Sequence, residues 1–419
     1  MDRVRVAAVG AGGIFRGAHL PSYPQIHEAK LVALCDISEA SLTESLHAAR
    51  RIYERQAEQL KESGRGDIAE QLLKDVEELK LYRDYDRMLQ EIKPDIVDIC
   101  TMPDTHAKVA IASLKSGAHV MCEKPMARTW LECAEVIEAV EESGRFYQHN
   151  ENWIYDPLYH TLRRLVQMGA FGELQLVFIS CAHQGPENRT AFWDPMINGG
   201  GAMVDMAVHA FTTAWFLAGF NMKPVWVKAA EPNGICIKIR ERIIANTPRN
   251  IEVEDDAHIL VHFEEPNSGK WSNAHVEGSW SGKDAIDGLF IGTQAVARCK
   301  FVDGRPQIEL TDTFGKQHLV EAIGPNWTHW PSSFYGEIRT MIECVLQNRK
   351  PPCDHIIGAD TQAAMGAAYL SQLEGMRKVT LEEYKEWALS IKRKAKRNAS
   401  EALIREQLKA LKVGLGQGT

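Results

Sequence analysis

The pattern of apolar and polar positions changes character near residue 150. Before that point, short apolar runs alternate with stretches of helical periodicity. Repeated units of strand, helix and strand are typical of a doubly wound parallel sheet with helices on both faces. The apolar runs that predict its strands are 4–9, 31–35, 95–100, 119–122 and 145–149.

One long charged stretch, 39–81, interrupts this alternation. Its apolar positions recur at helical spacing, and a polar, glycine-containing break at 63–67 divides it. We interpret it as a helical hairpin inserted beside the first sheet. A solvated two-helix decoration is favoured, because charge-rich helices usually face water. The alternative is a flap near a ligand site on that sheet, or an oligomer contact.

The second half of the chain predicts a different sheet. After a helix near 157–168, a strand at 174–181 and a glycine-rich turn with a helix over 199–218, strand-like runs follow with few helices among them. This pattern is typical of a mainly antiparallel sheet. The runs are 225–230, 257–264, 271–280, 288–301 and 307–312.

The last part of the chain predicts helices. Residues 332–348 and 359–376 look helical, and a capping box of Thr380 and Glu383 opens a long charged helix through about Lys412. The fold class is therefore α/β, a doubly wound parallel sheet followed by an α/β domain with a large, open, mainly antiparallel sheet. The predicted domains are 1–150, 151–376 and a helical tail, 377–419.

Composition narrows the class of protein. The 419 residues are 45% hydrophobic and 25% charged, as in ordinary globular proteins, and the net charge of −8 gives no basic field for nucleic acid. No apolar run reaches membrane-spanning length and no leader pattern opens the chain, so we expect a cytoplasmic protein. The nine cysteines include no C-x-x-C pair, which favours buried free thiols over disulfides or zinc.

The first 36 residues have the layout of a dinucleotide site. An apolar strand runs into Gly10-Ala11-Gly12-Gly13, a helix-like stretch follows, and a second strand ends in Asp36. Gly10 permits the tight turn and Gly12 lets the backbone approach a pyrophosphate at a helix N-terminus. Phe15 stands where the strict motif has a third glycine. Asp36 would bind the ribose hydroxyls and repel a 2′-phosphate, which favours NAD over NADP; otherwise it is an ordinary strand-end acid.

Two further loops leave the same carboxyl edge of the predicted sheet. One starts at Thr101, and the other carries Lys124, whose backbone is kept extended by the proline that follows it. Lys124 could donate to a substrate hydroxyl beside a nicotinamide, or it could be a surface lysine. The candidate cofactor contacts are Gly10, Gly12, Gly13, Ile14, Phe15, Asp36, Thr101, Pro103, His106, Glu123 and Lys124.

A second informative stretch is 198–209. Its glycines predict a turn that opens a helix, and Asp205 and His209 are four residues apart on one face of that helix. Their neighbours are apolar, so a buried polar pair there needs a reason. The pair is either a core histidine with its carboxylate or a catalytic pair. A metal site lacks an evident third ligand, so we predict no metal.

These motifs together resemble the Gfo/Idh/MocA family, the glucose–fructose oxidoreductase and inositol dehydrogenase-like enzymes. The resemblance covers about residues 3–376. It rests on Gly10-Ala11-Gly12-Gly13, Cys35-Asp36, Pro103-Asp104-Thr105-His106, Glu123-Lys124-Pro125, Gly172-Glu173-Leu174 and Gly200-Gly201 with Asp205 and His209. It implies an NAD-binding Rossmann domain, a dimer or tetramer built on the open sheet, and a catalytic group of Lys124, Asp205 and His209.

This chain departs from the family pattern in three places. The stretch 39–81 and the tail helix lie outside it, and the arginine that members often carry near 153–155 is missing. The candidate substrate contacts combine aromatic faces with amide and imidazole edges, which suit a polyhydroxylated ring. They are Asn152, Trp153, Tyr155, His183, Gln184, Asn188, Arg189, Trp193, Asn326, Trp327, His329 and Trp330.

The sequence therefore predicts an NAD-dependent oxidoreductase of a sugar, glycoside or cyclitol. His209 is the expected base, Lys124 would stabilise alkoxide character, and Asp205 would orient the substrate or the imidazole. Two alternatives remain open. One is a redox-neutral, NAD-using glycosidase or lyase, and the other is a non-catalytic NAD(H) sensor.

Overall fold

The alternating pattern of the first 150 residues folds into six strands and their connecting helices. The computed structural model describes residues 3–282, 288–302, 305–322, 332–395 and 401–413. A π-helical turn (Phe15–His19) and a 3-10 turn (Leu20–Gln25) follow the glycine loop. The regular elements are β1 (Val4–Val9), β2 (Ala29–Cys35), α1 (Glu39–Glu62), α2 (Gly66–Glu77), β3 (Lys80–Tyr82), α3 (Tyr85–Ile92), β4 (Ile96–Ile99), α4 (Pro103–Lys115), β5 (His119–Glu123), α5 (Trp130–Ser143) and β6 (Tyr147–Asn150).

The six strands form the predicted parallel sheet. Their order is β3-β2-β1-β4-β5-β6, and every neighbouring pair is parallel. The near-continuous burial of β1 and β4 fits a sheet covered on both faces. The strand order reverses between β1 and β4, which is where such sheets open a ligand crevice at their carboxyl ends.

The helical hairpin predicted within 39–81 is present as α1 and α2, but its interpretation as a solvated decoration was wrong in two respects. Residues 80–82 form β3, the edge strand of the sheet, so α1 and α2 are its crossover from β2. Both helices also pack into the core: Leu42, Tyr53 and Leu72 are less than 5% exposed. The helical periodicity was visible in the sequence, but the buried face of α1 is made mostly of small residues among many charges, and this made the helix look solvated.

The rest of the chain alternates less regularly. A 3-10 turn (Asn152–Tyr155) follows β6, and a π-helical turn (Met203–Ala207) leads into α8. The elements are α6 (Pro157–Gln167), β7 (Leu174–Ala182), α7 (Pro195–Asn198), α8 (Val208–Ala218), β8 (Lys223–Ala229), β9 (Ile235–Cys236), β10 (Glu241–Ile244), β11 (Thr247–Asn250), β12 (Asp256–Glu264), β13 (Trp271–Ser279), β14 (Leu289–Gly292), β15 (Ala295–Val302), β16 (Arg305–Asp312), β17 (Gln317–Glu321), α9 (Ser332–Leu346), α10 (His355–Leu373), β18 (Val379–Thr380), α11 (Leu381–Ala395) and α12 (Glu401–Ala410).

The second sheet is large and mainly antiparallel, as predicted. Its order is β17-β16-β15-β14-β7-β13-β12-β8-β18, with β9 paired to β12; β7 and β13 are its parallel pair. The run 288–301 was predicted as one strand and is two, because the chain reverses between Gly292 and Ala295 and β14 pairs with β15. The short strands β9, β10, β11, β17 and β18 carry too little periodicity to have been predicted.

The C-terminal tail is not one long helix. The capping bond is present, from the Glu383 amide to Thr380 Oγ1 at 3.0 Å. However, the Gln407 amide donates to Tyr384 Oη at 2.9 Å, and one straight helix would place these residues far apart. The apolar face of α12 makes the chain fold back, with Leu403 and Ile404 fully buried.

The described residues cluster into two compact units. Unit 1 takes Met1–Met126, Glu135–Tyr155 and Trp327–Ile356, and unit 2 takes Ala127–Ala134, Asp156–Asn326 and Ile357–Thr419. The domain boundaries at 150 and 376 stay predictions. None of the nine cysteines forms a disulfide, and eight of them are buried. Among the described residues, no helix has the length and apolar character needed to span a membrane.

Candidate active site

The glycine loop of unit 1 has the geometry of a nucleotide turn. Gly10 has φ +94°, and a Cβ there would lie 2.5 Å from the carbonyl carbon of Cys100, so only glycine fits. A Cβ on Gly12 would meet no atom within 4 Å. The backbone at Gly12 therefore faces open space at the end of β1, where a pyrophosphate can approach.

Asp36 is built into the same turn. Its Oδ2 accepts from the Ala11 amide at 2.8 Å and its Oδ1 accepts from the Ser38 amide at 2.8 Å. Ser45 of α1 donates to the Ala11 carbonyl at 2.7 Å, which fixes the other side of the loop. Each carboxylate oxygen can accept more than one hydrogen bond, so Asp36 can still bind ribose hydroxyls. The turn and the acid together fit a dinucleotide.

Phe15, in the position of the third glycine, is a core residue. Its side chain is fully buried and contacts Tyr23, with ring centroids 6.5 Å apart. Any contribution of Phe15 to a cofactor would therefore come from its backbone. Ile14 is half-buried and Gly13 is exposed at the start of the same turn.

His106 connects the two loops that leave β4 and β5. Its Nδ1 lies 2.8 Å from the Pro125 carbonyl and its Nε2 lies 3.0 Å from the Thr101 carbonyl. Burial lowers the pKa of His106 although both carbonyls favour its charged form. His106 is only 1% exposed, so it holds the two loops together from the protein interior. Pro103, at the start of α4, is buried as well, while Thr101 is half-exposed.

A buried histidine holds the strand that ends at Lys124. Nε2 of His19 lies 2.8 Å from Oε1 of Glu123, the last residue of β5, and Nδ1 lies 3.0 Å from Asp98 of β4. Tyr23 donates to the same Asp98 at 2.6 Å. Both ring nitrogens face carboxylates, and this arrangement favours the imidazolium form of His19, in which both nitrogens donate.

The electrostatics of this cluster agree with its geometry. Burial opposes the charge on His19, but Asp98 and the Cys100 sulfur outweigh it, and the pKa of His19 lies well above 6.5. Burial and the charge of Glu123 raise the pKa of Glu337, which is fully buried on α9. His19 and Glu337, whose pKa values are both raised, thus lie close to Glu123 in the core of unit 1.

The three substrate candidates of unit 1 occupy the 3-10 turn after β6. Asn152 is 7% exposed and donates to Ser333 at 3.1 Å. Tyr155 is also buried, and burial raises its pKa. Trp153 is the half-exposed member, with its amide donating to Glu151 at 3.2 Å. Trp153 is the most exposed of these three.

In unit 2 the glycine turn is fixed by a buried acid that the sequence did not reveal. Oε1 of Glu254 accepts from the Gly201 amide at 2.8 Å, from the Met203 amide at 3.0 Å and from Tyr369 Oη at 2.7 Å. A Cβ on Gly201 would lie 1.9 Å from the Glu254 carbonyl oxygen, so this position requires glycine. Burial raises the pKa of Glu254 while these donors lower it.

The helix beyond this turn carries Asp205 and His209. Asp205 lies in the π-helical turn and His209 in the first turn of α8, and they are 7% and 9% exposed. A π-turn inside a helix is a frequent mark of a functional site. The helix was predicted, but its widened first turn was not.

Two tryptophans connect Asp205 with the loop at 183–193. The indole of Trp280 donates to Oδ2 of Asp205 at 3.0 Å, and the ring of Trp193 contacts that of Trp280 at 4.8 Å between centroids. The guanidinium of Arg242 lies over Trp193 at 5.4 Å and pairs with Asp255 at 2.7 Å. Trp280 and Arg242 were missed, because a single tryptophan or arginine has no local signature in the sequence.

The other members of the 183–193 cluster are more open. His183 is half-buried, and its Nδ1 accepts from the Gly185 amide at 2.8 Å. Arg189 is exposed, with its guanidinium 5.6 Å from the Phe192 ring, and Gln184 and Asn188 are exposed too. Asn326, Trp327, His329 and Trp330 lie outside the described residues.

The predicted site residues therefore form two groups. Unit 1 holds the glycine loop, Asp36, Thr101, His106, Glu123, Lys124 and the 152–155 turn, while unit 2 holds Asp205, His209 and the 183–193 loop. Within each group the structure brings distant parts of the sequence together. That Lys124 acts with Asp205 and His209 stays a prediction.

A doubly wound sheet, an open glycine turn and a strand-end acid define a dinucleotide-binding protein. The chain belongs to the Gfo/Idh/MocA oxidoreductase family. Residues 4–151 match the family's NAD-binding Rossmann fold, and residues 159–307 match its C-terminal domain. The predicted family and the NAD-binding domain are thereby confirmed.

Relatives in this family act on sugars. The chain is 26% identical to D-glucoside 3-dehydrogenase of Escherichia coli (strain K12) over 220 residues, 52% of this chain and 54% of that protein. It is 32% identical to alpha-N-acetylgalactosaminidase of Bacteroides fragilis (strain ATCC 25285) over 175 residues, 42% of this chain and 36% of that protein. The chain thus matches about half or less of these relatives' length.

Solved structures confirm the fold. A levoglucosan dehydrogenase in complex with NADH and levoglucosan superposes with a TM-score of 0.71 at 18% identity, covering 90% of this chain and 99% of that one.

Proposed function

We propose that the protein is an NAD-dependent dehydrogenase that oxidises a secondary alcohol of a sugar, glycoside or cyclitol. The observation that carries the proposal is the end of β5. Glu123 is fixed there by the buried His19 imidazolium, and Lys124 follows it at the carboxyl edge, two strands from the glycine turn. A lysine fixed at that edge is suited to a substrate oxygen beside a nicotinamide.

Bound NAD supplies the acceptor for the substrate's hydride. Side chains of the protein must then accept the hydroxyl proton of the same alcohol. His209 accepts the hydroxyl proton, because a neutral imidazole nitrogen can act as a general base. Lys124, as an ammonium, donates to the oxygen and stabilises its developing negative charge. Asp205, fixed by the Trp280 indole, orients the substrate or the imidazole.

The test is an NADH-absorbance screen over inositols, monosaccharides and glycosides, followed by variants on the best substrate. We expect Lys124→Ala and His209→Ala to lower turnover by at least about 100-fold, with NAD affinity retained. Lys115→Ala, an exposed lysine at the end of α4, is the matched control and should be unchanged. Near-normal turnover of either site variant would contradict the assignment.

A redox-neutral glycosidase is the second candidate. The observation in its favour is the 32% identity with alpha-N-acetylgalactosaminidase. Chromatography of the same reaction mixtures separates the candidates, because a redox-neutral enzyme releases the aglycone with no net NADH. Tight NAD binding without turnover of any substrate would instead favour the sensor.

The substrate contacts proposed for the ring are Trp153, His183, Arg189 and Trp193, which are half-exposed or exposed in their own units. Aromatic faces take the C–H patches of a sugar and the polar edges take its hydroxyls. The dimer or tetramer and the cytoplasmic location stay expectations.

A further inference from the structure

The C-terminal helix α12 docks through an apolar face. Leu403 and Ile404 are fully buried and Leu408 is 4% exposed, which gives the spacing of one helix face. Gln407 lies between them, fully buried, and its amide bonds Tyr384 of α11. The docking fixes the first residue of α12, Glu401, in space.

Glu401 forms a two-point contact with a buried arginine. Its Oε2 lies 2.9 Å from Nη1 of Arg128, and its Oε1 lies 3.0 Å from Nη2. Arg128 is 2% exposed. It also donates to the Glu132 carboxylate of α5, from Nε at 3.2 Å and from Nη2 at 2.6 Å. A paired, planar contact of this kind fixes the orientation of the guanidinium as well as its position.

The remaining donor of Arg128 reaches the chain just before the glycine turn. Its Nη1 donates to the carbonyl of Met196 in α7 at 2.7 Å. All five N–H groups of the guanidinium are then used. Gly199, at φ +88°, lies against the Arg128 backbone so closely that a Cβ there would be 2.6 Å from its carbonyl oxygen. Arg128 therefore supports the turn through both its side chain and its backbone.

That turn leads into the helix that carries the catalytic candidates Asp205 and His209. The Asp205 amide bonds the Gly201 carbonyl at 3.2 Å, so a displacement at Met196–Gly199 passes to the first turn of the helix. Glu254 fixes Gly201 and Met203 from the other side. The turn is thus held at two places: by Glu254 at its end and by Arg128 at its beginning.

We propose that Glu401 of the tail is a positioning residue, which orients Arg128 and through it the turn that places Asp205 and His209. The proposal rests on the dehydrogenase function for its catalytic consequence. It gives the tail a role in the site: α12 supplies the second carboxylate of the arginine, and without it the guanidinium would keep only Glu132 and the Met196 carbonyl as acceptors. All the residues concerned lie in unit 2.

The first measurement is amide exchange in the full-length chain. The amides of Ile197 and Asn198 donate to the Asp194 carbonyl, and the Gly199 amide donates to the Pro195 carbonyl. Their exchange therefore reports directly on the start of the turn. We expect Glu401→Ala to speed their exchange about tenfold or more, while Glu401→Gln gives a smaller change. The control is Glu383→Ala, which removes another tail glutamate paired with an arginine, Arg377, away from this turn.

The second measurement is kinetic. For Glu401→Ala we expect kcat lowered about three- to tenfold with NAD affinity unchanged, and for Glu383→Ala neither change. Arg128→Lys, which keeps the charge but cannot make the forked contact, should reproduce both effects. A purely structural role would instead speed exchange throughout unit 2 and leave kcat of the folded fraction unaltered.

The two proposals fail in different ways. If the wild-type protein oxidises no alcohol, the dehydrogenase function is wrong and the exchange measurement still decides the role of Glu401. Unchanged exchange at Ile197–Gly199 in both Glu401→Ala and Arg128→Lys would overturn the positioning role, whatever the activity. Equal effects of Glu401→Ala and Glu383→Ala would overturn it as well.

Discussion

Replacing His19 with glutamine tests whether a buried imidazolium holds the core of unit 1. His19 is fully buried, and its two nitrogens bond carboxylates of β4 and β5, Asp98 and Glu123. Glutamine keeps an amide donor but has no charge. His19→Gln would therefore leave two buried carboxylates facing one another without the cation between them.

The expected loss of stability is large. Removing one partner of a buried ion pair typically costs ~3–5 kcal/mol, because the other charge stays buried. In domains of about 150–250 residues, each kcal/mol moves Tm by roughly 2–4 °C. We therefore expect the melting transition that is sensitive to NAD to fall by ~6–20 °C. His47→Gln, an exposed histidine on α1, should melt with the wild type.

The pH dependence gives an independent check with a fixed sign. The pKa of His19 is raised in the folded state, so its stabilisation is complete below the ordinary value of 6.5 and is lost as pH rises through the raised folded value. Melting curves from about pH 5.5 upwards should show wild-type stability falling in that window, and the slope should be shallower in His19→Gln. A variant that melts within about 2 °C of wild type near pH 6, or a difference independent of pH, would refute the imidazolium.

Four further substitutions test three separate features. Relative to the wild type, Glu337→Gln should raise Tm by an amount that grows above about pH 4.5. The pKa of Glu337 is raised in the folded state, so the stability that its protonated side chain contributes is present at low pH and lost as pH rises. A melting difference that does not depend on pH would speak against a protonated Glu337. Asp36→Asn keeps an acceptor for the Ala11 amide but loses the charge, so titration should show weaker NAD binding and a reduced preference over NADP, and an unchanged preference would count against the ribose role. Gly201→Ala should lower Tm without weakening NAD binding, whereas Gly12→Ala should do the reverse, since only the first Cβ meets protein atoms; the same effect in both variants would rule this out.

The sequence predicted those parts of the fold and site that depend on local pattern. The alternating apolar runs gave the parallel sheet, and the glycines at 10 and 12 with Asp36 gave the nucleotide turn, because backbone conformation limits which residues can stand there. The glycine-rich stretch before Asp205 predicted a helix start for the same reason. Each of these signals lies within a few residues of the feature it predicts.

What could not be predicted depends on contacts between distant segments. Glu254 lies 53 residues after Gly201, in an acidic run that reads as a solvated turn, and only the folded chain places it under the glycine amides. His19 is a single polar residue in an apolar stretch, and its carboxylate partners come from two other strands. The backfolding of α12 was missed because helical periodicity identifies an apolar face but not the surface that it covers.

The two units fix their catalytic candidates by the same physical means. In unit 1 the chain leaves β5 at Glu123, which accepts from His19, and in unit 2 it enters the helix at Gly201, which donates to Glu254. Both carboxylates are more than nine-tenths buried, so the hydrogen bonds they accept act in a low dielectric and resist displacement. The loop at 183–193 is by contrast exposed or half-exposed along most of its length. The proposed substrate contacts in that loop can therefore change while the backbone that carries the catalytic candidates Lys124, Asp205 and His209 stays unchanged. If the proposal is right, conservative changes at Arg189 should alter KM more than kcat.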